Sequence, residues 1–231
     1  MSGQERKLLA IDLDGTLVDS APDIAHCLGL ALEAIGYAPP GEARTRVWIG
    51  DGLETLIARA IVHGSNAERE AALSGDARHK AALAAFLACY SDNLFVRSRL
   101  YPGVRATLDA LRARGFRLCC ITNKRFAFSD ALLVQAGIRD YFELLLGGDS
   151  LAEKKPSPLQ LKVAAEMLGI APSAATLVGD SHQDLRAARA AGFGFVLASF
   201  GYGKIDETEL GTSPRIRSFS DLPSALGVGG T

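Results

Sequence analysis

Three things are scarce in this 231-residue chain, and each scarcity closes off a class of function. Apolar runs are all short. None approaches the roughly 20 residues that span a bilayer, so a membrane protein is not expected. Charge of one sign is not in excess: 25 Lys and Arg stand against 26 Asp and Glu, a net charge of −1. That balance gives no basic surface for nucleic acid. Cysteine is sparse: Cys27, Cys89, Cys119 and Cys120 have no metal-ligand spacing. Cys119 and Cys120 are adjacent in an apolar run, where neighbours in a strand face opposite sides. All four read as buried free thiols of a reducing compartment, with neither a zinc nor a disulfide role. The segment Met1–Lys7 has no signal-peptide layout and runs straight into the first apolar stretch, which predicts a cytoplasmic protein. What is plentiful is apolar side chain, 48% of the residues, enough for a real core and against disorder.

The most informative stretch follows Leu8-Leu9-Ala10-Ile11, which reads as a fully buried strand. It continues Asp12-Leu13-Asp14-Gly15-Thr16-Leu17-Val18-Asp19-Ser20. The strand therefore ends in two carboxylates alternating around a leucine, with a glycine at once for a sharp turn. In an open α/β sheet, ligands bind where strands deliver their C-terminal ends. Two like charges crowded there repel, and a hard cation such as magnesium, which takes oxygen ligands, would relieve them. One carboxylate could then attack while the other moves a proton. The competing reading is an acidic turn whose Asp and Gly serve turn chemistry alone.

Downstream, the pattern divides. Ala21–Ile35 carries helical spacing closed by Gly36; Asp51–Val62 reads as a second helix and His79–Tyr90 as part of a third. No strand is expected between Thr16 and Leu94. From Tyr101 onward, strands and helices alternate: helices Val104–Arg114, Phe126–Ala136, Leu159–Leu168 and Asp184–Ala191, strands Phe116–Ile121, Phe142–Leu146, Ala174–Val178 and Phe193–Ala198. Repeated βα units imply a parallel sheet covered on both faces. The expected fold is α/β, a Rossmann-like parallel sheet core formed by residues 1–16 and 95–231, with an inserted α-helical cap at 17–94. A structureless connection of that length is implausible. Gly15–Ser20 and Asp92–Leu100 would be the hinges, Gly75 would sit in a flexible loop, and the tail from Gly227 is expected to fray.

Three further strand ends or helix starts carry polar residues: Thr122-Asn123-Lys124, Lys154-Lys155-Pro156-Ser157-Pro158 and Gly179-Asp180-Ser181-His182-Gln183-Asp184. Each alone has a structural reading, as caps, turns or solvated lysines. In this order, and together with the first motif, they resemble the four motifs of the haloacid dehalogenase superfamily of phosphatases over nearly the whole chain. That resemblance implies Mg2+ held by the side chains of Asp12 and Asp180 and the backbone carbonyl of Asp14. It implies phosphoryl oxygens met by Thr122, Lys155 and the backbone N–H of Asn123, and Asp184 behind the metal, orienting it or its waters. Asp12 would attack phosphorus to give an aspartyl phosphate, while Asp14 gives a proton to the leaving alkoxide and takes one from the hydrolytic water. The superfamily pattern puts its lysine immediately before proline, which selects Lys155 over Lys154. His182 has no counterpart as a ligand and is expected at the surface or behind the metal.

Within the superfamily, Asp14 disfavours dehalogenases, and a cap carrying only Lys80 disfavours relatives that use an amine nucleophile. The chain looks most like the phosphoglycolate phosphatases, on Val47-Trp48-Ile49-Gly50-Asp51-Gly52, Leu56-Ile57-Ala58-Arg59-Ala60, Thr122-Asn123-Lys124 and Phe200-Gly201-Tyr202-Gly203. One departure is Asp51, where that family usually has Asn. Gly50 and Gly52 bracket a helix start whose free N–H groups could receive the glycolate carboxylate, or they only make a turn. Arg46, Arg59 and Lys124 are the alternative carboxylate partners. The expected activity is hydrolysis of a small phosphorylated metabolite, 2-phosphoglycolate first, by a monomer or small homo-oligomer. Another phosphatase substrate, a sugar phosphomutase or a non-catalytic regulator are the other readings.

Overall fold

In a computed structural model the described residues are 7–64 and 77–228. The expectations for Met1–Arg6, Gly75 and the last three residues lie outside them. The chain divides into two compact units, one formed by Met1–Asp19 with Leu100–Thr231, the other by Ser20–Arg99.

The first unit is built on a six-stranded sheet in the order β5-β4-β1-β6-β7-β8, every pairing parallel. The strands are β1 Leu8–Ile11, β4 Arg117–Ile121, β5 Leu144–Leu146, β6 Ala175–Gly179, β7 Gly194–Ala198 and β8 Arg215–Ile216. This is the Rossmann-like α/β architecture expected from the alternating pattern. β1 is buried along its whole length, because β4 and β6 flank it and helices cover the sheet. Among the helices are α5 Val104–Ala113, α6 Phe126–Gln135, α7 Leu159–Met167 and α8 His182–Ala191. α8 starts two residues earlier than expected, because Ser181 caps it. Two short helices follow, α9 Glu207–Leu210 and α10 Leu222–Ala225. Parallel register brings the ends of β4, β1 and β6 side by side, so Thr122, Asp12 and Asp180 emerge on one edge.

The second unit holds α1 Ala21–Glu33, α2 Glu42–Trp48, α3 Leu53–Gly64 and α4 Ala77–Asp92. Its core comes from Ile24, Leu28 and Leu32 with Leu56, Ile57, Ile61, Phe86 and Tyr90, all buried. Two elements depart from expectation. α2 has only seven residues after Gly41, whose φ is +78°, too few to show a helical period. A two-residue strand, β2 Val18–Asp19, lies in the stretch where no strand was expected and pairs with β3 Arg99–Leu100. Such a pair is below the length at which alternation can be read.

The cysteines need a larger correction. Cys119 and Cys120 are free and buried, as expected, but Cys27 on α1 and Cys89 on α4 form a disulfide. The packing of α1 on α4 brings their Cα atoms to 5.5 Å, within bridging range, across a sequence separation of 62 that no local spacing reveals. Reaction of the denatured, unreduced protein with a thiol reagent should therefore count two free thiols. A count of four would remove the bridge.

A second tie lies within this unit. Asp23, fully buried in the first turn of α1, accepts hydrogen bonds from the backbone N–H of Ser98 (2.8 Å) and of Arg97 (3.0 Å) and from Ser98 Oγ (2.6 Å). Burial pushes its pKa up, but the bonds from Ser98 and Arg97 outweigh it and hold the group below the usual carboxylate value. The tie is thus at full strength above the unfolded-chain pKa and is lost as pH falls through the lower folded value. Asp23→Ala should cost about 2–3 kcal/mol in urea unfolding at pH 7, because the buried Ser98 N–H loses its acceptor. The difference from wild type should shrink on acidification.

Candidate active site

The site grows from the end of β1. The Asp12 N–H continues the ladder to Val178 O at 2.9 Å, so Asp12 is held as strand while its side chain enters the buried edge. The chain then turns, with Gly15 at φ +86° and the N–H groups of Leu17 and Val18 both on Leu13 O at 3.0 Å. Gly15 is required for space as well as for φ: a Cβ there would lie 2.4 Å from Asp180 Oδ2.

Lys155 is the cation at the centre. Its buried ammonium donates to Asp12 Oδ1 at 2.7 Å, Asp184 Oδ1 at 2.6 Å and Ile121 O at 2.7 Å. All three protons are used within the protein, so its charge acts on the site through Asp12 and Asp184. Burial opposes that charge, but the two carboxylates prevail and raise the lysine pKa. Lys154 lies beside it only half-buried.

Asp184 is fully buried at the start of α8 and serves two neighbours. Its Oδ1 holds Lys155, while Oδ2 accepts from the Ser181 N–H at 3.1 Å in a capping box closed by Ser181 Oγ on the Asp184 N–H. Gly179, the last residue of β6, permits this, since a Cβ there would meet Asp184 Cγ at 2.4 Å. Asp180, buried beside it, accepts from the backbone N–H groups of Tyr202 (2.6 Å) and Gly203 (3.1 Å), both on Oδ2.

Asp12, Asp180 and Asp184 each offer an oxygen within 4.8 Å of the others. Lys155 pairs with two of the three, Asp12 and Asp184. Burial, then the neighbouring carboxylates, push Asp12 up to about 7 against the pull of Lys155, and Asp180 up to about 8. An all-oxygen donor set with unbalanced negative charge fits a hard divalent cation.

Asp14 stands apart from this trio. Both its oxygens lie 3.1 Å from Lys124 Nζ, in a pair that is nearly buried. The sequence placed Lys124 among the candidate partners of a substrate carboxylate. Here it reaches a carboxylate of the protein itself, a contact signalled in sequence only by its position three residues past the end of β4. Thr122 is buried, with its Oγ1 accepting from the Lys124 N–H at 3.2 Å. Asn123 uses its side-chain amide on Lys155 O at 2.9 Å, which holds the segment that carries the lysine. His182 is half-buried, its Nδ1 2.7 Å from Glu209 Oε2.

In the helical unit, Gly50 and Gly52 have φ of +125° and +95°. Arg59 grips the loop between α2 and α3, pairing with Asp51 and donating to Trp48 O at 3.2 Å. Arg46 pairs with Glu42 one turn away on α2.

The raised acids set a pH dependence. The folded, metal-free protein keeps protons on Asp12 and Asp180 that the unfolded chain, with carboxyl values near 3.8, has released. Stability of the EDTA-treated protein should then fall as pH rises from about 4 through about 8. Magnesium chloride should raise the melting temperature more at pH 8 than at pH 5, because at pH 5 the ion must displace protons. An equal gain at both would mean that these carboxylates do not bind the ion.

Comparison with known proteins agrees with this geometry. The sequence pattern of the haloacid dehalogenase-like hydrolases matches residues 6–192. The chain is 45% identical over 199 residues to a phosphoglycolate phosphatase of Nitrosococcus oceani, covering 86% of each chain. It is 40% identical over 216 residues to one of Chromobacterium violaceum, covering 94% of each. The crystal structure of a predicted phosphoglycolate phosphatase from Haemophilus somnus superposes with a TM-score of 0.88 at 34% identity, covering 97% of this chain and 100% of that one. The protein belongs to the haloacid dehalogenase-like hydrolase family.

Proposed function

We propose that this chain is a Mg2+-dependent phosphomonoester hydrolase whose substrate is 2-phosphoglycolate. The observation that carries the reaction class is the buried trio Asp12, Asp180 and Asp184, the first and last of them paired with Lys155, with Asp14 two residues beyond Asp12. The substrate rests on the relatives, which are named phosphoglycolate phosphatases at 40–45% identity over most of their length.

Asp12 and Asp180 are the side chains we assign to the ion, with the backbone carbonyl of Asp14. When bound, Mg2+ offsets the charge of a phosphate ester, which carries about two negative charges, so that a carboxylate can approach it. The chain's own residues do the rest. An Asp12 carboxylate oxygen forms a bond to phosphorus as the phosphorus–alkoxide bond breaks. A proton passes through Asp14 to the departing alkoxide. Water then attacks the aspartyl phosphate, Asp14 takes its proton, and phosphate leaves with Asp12 restored. Lys124 keeps the Asp14 carboxylate in place, and Lys155 does so for Asp12. The Thr122 hydroxyl proton is available to a phosphoryl oxygen, since its oxygen accepts from Lys124.

The Asp51 departure carries less weight than its charge suggests, because Arg59 pairs with it.

The test is phosphate release from 2-phosphoglycolate and from a panel of small phosphate esters, with and without chelator. Release should require Mg2+ and no added bisphosphate; a bisphosphate requirement would point to a mutase. Asp12→Asn should abolish turnover with the fold retained. Asp14→Asn should lose about 10²–10⁴ in rate on alkyl phosphates and markedly less on an aryl phosphate, whose leaving oxygen hardly needs a proton. Equal losses on both would remove Asp14 from the acid role.

A further inference from the structure

The stretch Phe200-Gly201-Tyr202-Gly203 has no part in the steps above, yet it encloses one of their carboxylates. Asp180 Oδ2 takes both loop N–H groups, from Tyr202 at 2.6 Å and from Gly203 at 3.1 Å. The enclosure is also steric. A Cβ at Gly201 would lie 2.3 Å from Asp180 Cβ and 2.4 Å from Gly15 O, and one at Gly203 would lie 2.2 Å from Asp180 O. Only hydrogen fits at these positions, so the loop backbone touches Asp180 directly.

The loop is itself anchored at two points. The Tyr202 hydroxyl donates to Asp19 Oδ1 at 2.8 Å. Phe200 packs on Tyr101 with ring centroids 4.6 Å apart. Asp19 is the last residue before the chain leaves the first unit, and Tyr101 comes just after its return. The Tyr101 N–H bonds Leu17 O at 3.0 Å, so the two anchoring segments are also tied to each other.

From this geometry we infer that the Phe200–Gly203 loop is the positioning element of the Asp180 carboxylate, and that Tyr202, fastened through its hydroxyl to Asp19, is a positioning residue for metal binding. Two donors on one oxygen stop the carboxylate from rotating and leave Oδ1 to face an ion. Partners of this kind, which bond a ligand and do not touch the metal, commonly tune affinity about 10–100-fold. The inference rests on the reading that Asp12 and Asp180 hold a divalent cation.

The test is Mn2+ titration of the metal-free protein, followed by electron paramagnetic resonance, beside melting curves in EDTA. Gly203→Ala should weaken Mn2+ binding about 10–100-fold. Tyr202→Phe keeps the ring and the backbone donor but loses the anchor, and should weaken it by the lower end of that range, about tenfold. In kinetics, the Mg2+ concentration for half-activation should rise while the substrate KM at saturating Mg2+ stays unchanged. Ser199→Ala, which removes a hydroxyl bonded to Ile216 O, should leave Mn2+ affinity unchanged. If Gly203→Ala does not fold, Tyr202→Phe decides alone. Wild-type Mn2+ affinity in folded Tyr202→Phe, even with a lowered melting temperature, would overturn the inference and leave the metal reading standing. Failure of the wild type to show an Mn2+ site that Asp180→Asn removes would overturn both.

Discussion

The structure turns on one buried ammonium. Lys155 Nζ joins the end of β1 through Asp12, the end of β4 through Ile121 O and the start of α8 through Asp184, each at 2.6–2.7 Å. Removing a partner from a buried ion pair costs more than the pair contributes, since the remaining charge is left uncompensated. Here the imbalance is already present, since Lys155 pairs with Asp12 and Asp184 while Asp180 lies beside them as a third buried carboxylate. Without a cation, the folded chain meets that imbalance by holding protons on Asp12 and Asp180 at the place where its strands end. A dicationic ligand and a dianionic substrate are the species that such a site can take together. Stability and function pull in opposite directions at these residues, which is the ordinary condition of a catalytic centre.

Close backbone approach is the second constraint. Gly15, Gly179, Gly201 and Gly203 all face Asp180 or Asp184 at distances that no side chain could share. The acids are thereby walled by peptide groups, which supply N–H donors without side-chain entropy. Asp180 takes two such donors and Asp184 one, so both are oriented before any ligand arrives.

The sheet was legible because its signals are local. Leu8–Ile11 is uniformly apolar and is buried on both faces, and each later βα unit is closed by a glycine or a cap that could be read in place. Asp12 follows directly on β1, so its position at the strand end was local too, whereas Asp14 lies past the strand in the turn made by Gly15. What escaped the sequence depends on contacts between distant segments. Lys124 on Asp14 spans 110 residues, and Tyr202 on Asp19 spans 183. Cys27 and Cys89 meet only because α1 packs on α4, so the reading of four free thiols failed on tertiary grounds. The strands Val18–Asp19 and Arg99–Leu100 are too short for any periodicity to register.

The position of the inserted helices in the chain raises a last physical question: how Ser20–Arg99 can interrupt the sequence between β1 and β4 without loosening β1. An insertion costs little if its two ends are held together, because the loop-closure entropy is then met locally. Within the helical unit, Asp23 bonds Arg97 and Ser98, so the first turn of α1 is fastened to the last residues of the insertion. The Cys27–Cys89 bridge adds a covalent tie one turn further along α1. Within the sheet unit, the Tyr101 N–H on Leu17 O does the same for the flanking chain. Each unit therefore closes its own ends, and the sheet receives β1 and α5 as if the chain between them were a short loop. The buried carboxylates Asp12, Asp180 and Asp184 and the lysine that pairs with two of them all belong to the sheet unit, so the frame that holds them is completed by segments whose own ends are closed.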